Sequence, residues 1–173
     1  IYMKFLYLIR HAKAESFIEG TEDHDRKLSN KGIQRANNLA SWLSKKTPII
    51  QELHFSSSIR TIQTADIVSK ALSDNLLKFE DPKLYGAKPE VLLNYLAFMD
   101  DNIDSLGVIA HQPGLKELAI SLIMNYAEGM DKVLNKSFST SNAFSIGLNI
   151  KRWDQISNRI GILIDYYDSK KII

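Results

Sequence analysis

The stretch KFLYLIRHAKAES, Lys4 to Ser16, carries the reading of the fold. Its first half, Lys4 to Ile9, is short and almost continuously apolar, the pattern of a strand buried on both faces of a parallel sheet. Arg10 and His11 follow without a spacer, so a cation and a titratable ring stand at the carboxyl end of that strand. Polar residues from Glu15 to Lys27 then form a loop.

Outward from this stretch, strands and helices alternate. Ser29 or Asn30 can cap a helix in which Ile33, Ala36, Leu39, Ala40 and Leu43 recur at helical spacing, ending near Lys45 and Lys46. ELHFSSS reads as a second strand entering a serine-rich turn, and Ile62, Ala65, Val68 and Leu72 mark the inner face of the helix after it. LLKFED is a third strand, KPEVLLNYLAFM a helix with Pro89 in its first turn, and SLGVIAH a fourth strand. Pro113 opens a further helix with Leu115, Leu118, Ala119 and Leu122 on one side. Towards the end Phe144, Ile146, Leu148 and Ile150 alternate, as do Ile160, Ile162 and Ile164, which predicts an antiparallel hairpin at the sheet edge. The expected fold is α/β: a three-layer α/β/α sandwich with a mostly parallel central sheet and an antiparallel edge, in one domain over 1–173.

Composition narrows the function. The chain has 173 residues, 45% of them hydrophobic, and a formal net charge of +2, which excludes the basic stripe of a nucleic-acid binder. With no cysteine there is no disulfide, thiolate nucleophile or cysteine-ligated metal centre. The apolar runs are far shorter than the roughly 18 to 20 residues that span a bilayer, so no membrane partner is expected and the chain reads as cytoplasmic. Ile1 and Tyr2 precede Met3 and carry no weight. Trp42 and Trp153 read as packing residues, and the closing DYYDSKKII as a solvated end or edge contact.

In open α/β sheets ligands bind outside the carboxyl ends of the strands. After the first strand come Arg10 and His11, after the second Arg60 within SSSIRTIQTAD, and after the fourth His111 within AHQPGL. Two guanidinium forks and two imidazoles suit a tetrahedral dianion such as phosphate, with arginine binding its oxygens and histidine donating or attacking. Helix starts after Ser58 and at Pro113 would add backbone N–H groups. Any one of these residues alone reads as an ordinary strand rim or helix start; their joint occurrence at three strand ends points to chemistry. A neutral His11 is required for attack, so the positive surroundings should depress its pKa and a bond to its other nitrogen should fix the tautomer.

The combination resembles the histidine phosphatase superfamily, with its phosphoglycerate mutase-like fold. LIRHAKAE is similar to its nucleophile motif, FSSSIRTIQTAD to its Ser-Ser-x-x-x-Arg-x-x-x-Thr-Ala segment, and IAHQPGL to its second-histidine motif. Through RHAKAE, DHDRKLSNKG and STSNAFSIGL the chain is most similar to SixA-type phosphohistidine phosphatases. The resemblance implies that His11 becomes phosphohistidine while Arg10, Arg60 and His111 hold the phosphoryl oxygens, without metal or other cofactor. It further implies substrate contacts from Arg26, which could equally pair with Asp23, and from Gln112, which stands where asparagine is usual.

The sequence departs from the wider family at the proton donor. PKLYGAKPE, with Tyr85, occupies the place of the usual Leu-x-Glu segment, leaving Glu15, Asp25 and Glu90 as weaker candidates. Only about 25 residues separate the third and fourth strands, too few for a large helical cap. An open pocket and a missing acid suit protein phosphohistidine, whose imidazole leaves more easily than an alkoxide. A small-molecule phosphomonoesterase and a non-catalytic phosphate-binding module are the alternatives.

Overall fold

The computed structural model describes residues 2–171; Ile1, Ile172 and Ile173, at the two ends of the sequence readings above, lie outside them. The strands are β1 (Lys4–Arg10), β2 (Glu52–Phe55), β3 (Leu77–Glu80), β4 (Ser105–Ala110), β5 (Ile123–Tyr126), β6 (Ala143–Leu148) and β7 (Gly161–Tyr167). The helices are α1 (Asn30–Leu43), α2 (Ile59–Ser69), α3 (Pro89–Ala97) and α4 (Gly114–Leu122). The strands form one seven-stranded sheet in the order β3-β2-β4-β1-β6-β7-β5.

β1 explains the three layers. Leu6 and Leu8 pack into the core beneath α3 and α4, with Leu92, Leu96, Leu115, Leu118 and Trp153, while Tyr7 and Ile9 pack into the core beneath α1 and α2, with Leu39, Leu43, Ala65 and Val68. A strand buried on both faces cannot afford polar alternation, hence the continuous apolar run. β2, β4 and β1 pair in parallel, as do β2 and β3, and antiparallel pairing begins where β6 meets β1 and then β7. The result is the expected α/β/α sandwich with a mostly parallel sheet and its antiparallel part on one side.

Four local readings change. The hairpin of β6 and β7 does not end the sheet, because β5 follows α4 directly and pairs in parallel with β7 as the outermost strand. IMNY carries no alternation because its last three residues are exposed. Ile33 is exposed, and Gly32 takes the buried place in the first turn of α1, because a Cβ there would stand 2.0 Å from the Lys13 carbonyl oxygen. Leu72 lies beyond α2, which ends at Ser69. The closing segment is structured as far as β7, with Tyr167 buried and the Ser169 N–H donating to Asn142 Oδ1. Trp153 is fully buried and its Nε1–H donates to the Ile103 carbonyl, while Trp42 packs against Tyr167.

Candidate active site

The carboxyl ends of β1, β2 and β4 meet at one cavity of about 550 Å³, lined by Arg10, His11, Arg26, Arg60, His111 and Gln112, with Asp23, Tyr85 and Thr140 among the others. All six sequence-predicted residues therefore reach one place.

His11 is held from several sides. Its N–H donates to the Ala110 carbonyl of β4, and the Ser141 N–H donates to the carbonyls of Arg10 and His11. Ser141 adopts a φ of 63°, a left-handed conformation that a non-glycine residue holds only where its surroundings fix it. Below the loop, the Ser29 N–H and hydroxyl both donate to the Lys13 carbonyl, and the same hydroxyl caps α1 by accepting from the Gly32 N–H. The His11 ring is buried, and Nδ1 lies 2.7 Å from the Ala12 carbonyl. A carbonyl can only accept, so Nδ1 carries the proton and Nε2 keeps its lone pair, towards which the Arg60 Nε–H donates at 3.4 Å.

The His11 pKa is lowered to about 3, chiefly by burial and then by His111, Arg60 and Arg10; the bond to Ala12 opposes the shift. Burial outweighs the positive surroundings as the cause of the shift. His111 is lowered to about 4, again by burial first and by Arg60 next. The two rings have centroids 5.0 Å apart, close enough to serve one phosphoryl group. His111 Nε2 lies 2.6 Å from the Ser56 hydroxyl, which in turn meets Thr61 Oγ1 at 2.8 Å. The serine-rich turn after β2 thus orients the second histidine as well as starting α2.

Arg10 and Arg60 approach from opposite elements. Arg10 Nη1 donates to the Phe138 carbonyl, and its buried Nε has no partner among the described residues. Arg60 donates to the Asp23 carbonyl from Nη1 at 2.5 Å and to Asp23 Oδ2 from Nη2 at 2.9 Å. Asp23 also accepts from Arg26 Nη1 and from the Tyr85 hydroxyl, each at 2.8 Å. These donors, Arg26 foremost, hold the Asp23 carboxyl well below the usual carboxylate range, so it is an anion inside a cationic pocket. The sequence marks Asp23 only as a partner for Arg26. Its sequence signal was the three-residue spacing to Arg26 in DHDR; the link to Arg60 is purely tertiary.

Arg26 pairs with Asp23 and also lines the cavity, while Nε and Nη2 donate to the Glu15 carbonyl. Gln112 Oε1 accepts from the Lys116 N–H at the start of α4. Of the carboxylates considered as proton donors, Glu15 lines the cavity, and neither Asp25 nor Glu90 belongs to its lining. Among the described residues no group of three or more His, Asp or Glu side chains is gathered for a metal ion, and no helix is long and apolar enough to cross a membrane.

A switch from parallel to antiparallel pairing beside β1, with Arg-His at its carboxyl end and a second histidine after β4, defines the histidine phosphatase class on a phosphoglycerate mutase-like fold. The chain belongs to the histidine phosphatase superfamily (branch 1), whose sequence model matches residues 6–84. It is 32% identical over 114 residues to the uncharacterized Mycobacterium tuberculosis protein Rv1276c, covering 66% of this chain and 69% of that protein. In structure it is similar to a proposed phosphohistidine phosphatase SixA from Nakamurella multipartitia, with a TM-score of 0.81, 19% identity and 97% of each chain covered. The proposed SixA of Agrobacterium tumefaciens gives a TM-score of 0.78 at 22% identity over 95% of this chain and 98% of that one. A protein histidine phosphatase SixA complexed with tungstate gives 0.75 at 20% identity, over 96% and 97% of the two chains.

Proposed function

We propose that this chain is a metal-independent phosphatase that forms a phosphohistidine at His11 and acts on protein-borne phosphohistidine. The observation that carries the reading is the state of His11: a neutral ring whose Nδ1–H is fixed on the Ala12 carbonyl, leaving the Nε2 lone pair beside two arginines and a second histidine. Nε2 attacks phosphorus, a P–N bond forms, and the substrate's P–N bond breaks with its electron pair passing to the departing imidazole, which takes a proton from solvent. Water then attacks the phosphohistidine, releasing inorganic phosphate and restoring neutral His11.

Arg10 and Arg60 stabilise the equatorial oxygens through both steps, the electrostatic role that metal ions fill in other phosphoryl transfers. The N–H groups of Arg10 and Arg60 that have no protein partner would be the donors to these oxygens. A Ser56 hydroxyl that donates to Nε2 of His111 would leave that ring's proton on Nδ1 for a phosphoryl oxygen. Arg26 and Gln112 line the approach and would contact the substrate beyond its phosphoryl group.

The state of Asp23 supports this substrate class. Asp23, the carboxylate nearest the arginines, is ionised and bound by three side chains, so it does not supply a proton to an alkoxide. Tungstate, held by the similar SixA protein, has the tetrahedral oxyanion geometry this pocket suits. The test is phosphate release in EDTA from a phosphohistidine-bearing protein and from p-nitrophenyl phosphate, with wild type and His11→Ala. Release should be faster from the first substrate and fall at least about 1,000-fold in His11→Ala, as expected for loss of a nucleophile. Undiminished turnover by His11→Ala would overturn the role of His11. A preference for the phosphoester would support a phosphomonoesterase.

A further inference from the structure

We infer that the tip of the loop after His11, Phe17 with Ile18, is a docking surface for the folded protein that carries the phosphohistidine. The inference rests on the substrate reading above. It starts from how the loop is built. The isolated bridge between Ala14 and Leu28 closes its two ends, reinforced by the Glu15 N–H donating to the Lys27 carbonyl. A chain segment whose ends are held together at its base follows a defined path over the surface rather than forming a loose connection.

The loop's inner side belongs to the pocket. Arg26 ties the Glu15 carbonyl to the Asp23 carboxylate, and Asp23 reaches Arg60. Glu15 and Ser16 line the cavity, and Phe17 is the next residue. The outer side does the opposite of what apolar residues normally do. Phe17 is 65% and Ile18 66% exposed, although a turn closed by the Thr21 N–H on the Ile18 carbonyl gives this arc a defined path. Two adjacent large apolar side chains held out at the rim of a reaction cavity form a surface made to be covered.

Charge selects what covers it. The loop's five carboxylates all lie between Glu15 and Asp25, where there is no lysine or arginine, and its two cations, Arg26 and Lys27, stand at its base. Asp23 is engaged inwardly, whereas Glu19 and Glu22 are exposed beside the tip. An anionic bilayer would be repelled by them. A protein surface with an apolar patch flanked by lysine or arginine, next to its phosphohistidine, matches both the tip and its acidic border. The phosphoryl group would enter the arginines while the neighbouring surface covers Phe17 and Ile18. Such a contact acts only on substrates that have a surface.

The experiment compares kcat/KM for two probes: an isolated histidine-phosphotransfer domain phosphorylated with potassium phosphoramidate, and free phosphohistidine. The variants are Phe17→Ser/Ile18→Ser and Glu19→Lys/Glu22→Lys. Both pairs lie on the exposed arc, so Tm should stay within a degree or two of wild type. The expected result is a loss of about tenfold or more on the phosphorylated domain, mainly through KM, for the first variant, with free phosphohistidine changed less than about twofold. The charge reversal should weaken the same reaction and invert its salt dependence. Unchanged turnover of the phosphorylated domain would overturn the docking surface alone, as would an equal loss on both probes, which would mean that the tip acts through the pocket. Wild type that is dimeric by sedimentation at assay concentration, and monomeric after the serine substitutions, would assign the tip to a second copy and overturn it too. No turnover of the phosphorylated domain by wild type would overturn the substrate reading, and the docking surface with it.

Discussion

Acidification should destabilise this protein through two identifiable rings, and the loss can be worked from the site itself. His11 and His111 are buried neutral, with pKa values of about 3 and about 4 in the folded chain, against 6.5 as the ordinary value. Because the folded values are depressed, the unfolded chain binds more protons between pH 6.5 and the folded pKa, so stability is fully present above 6.5 and falls as pH drops. Each pKa unit is worth about 1.4 kcal/mol, so lowering pH from 7 to 4.5 costs about 2.5 kcal/mol per ring, or about 5 kcal/mol for the pair. Against a typical stability of about 5–15 kcal/mol, that is a large share. The assay is urea unfolding at pH 7 and pH 4.5 for wild type, His11→Gln and His111→Gln. Each variant should recover about half of the wild-type loss, whatever its effect at pH 7. An acid loss in both variants equal to that of wild type would refute the claim that burial, rather than bulk acid sensitivity, holds these rings neutral.

Two further outcomes follow from local geometry. Asp23→Asn removes the carboxylate that engages Arg60 and Arg26, so inorganic phosphate should inhibit about three- to tenfold more tightly, the small effect expected of a half-exposed ion pair. Weaker inhibition would mean that Asp23 serves to position the arginines, not to compete for them. Gly32→Ala places a Cβ 2.0 Å from the Lys13 carbonyl oxygen and should cost about 3 kcal/mol in urea unfolding, with reduced activity because Lys13 lies in the loop after His11. A cost below about 1 kcal/mol would show that α1 can move off this loop freely.

Where the chain's own chemistry is local, the sequence was enough. The apolar run Lys4 to Ile9 marked a strand buried on both sides, since only such a strand lacks solvent-facing positions. The alternation of strands and helices then placed Arg10, His11, Arg60 and His111 at strand ends that a parallel sheet must gather on one edge. Short or irregular elements were harder to read. β5 has four residues, three of them exposed, and its pairing comes from lying beside β7 rather than from its own pattern. Gly32 outranked Ile33 as a buried position because a neighbouring carbonyl fills the space, a fact of approach and not of periodicity.

The electrostatic state of the site was the part that only tertiary structure decided. A histidine's pKa depends on the water it has lost and on charges brought from other elements, and neither quantity is written in the residues beside it. Nor could sequence spacing show that Asp23 reaches Arg60, 37 residues away, or that Ser56 orients His111 across 55 residues. The residues of the pocket were legible because strand ends converge by topology. Their protonation and partners were fixed only when folding excluded solvent and brought distant side chains to hydrogen-bond distance.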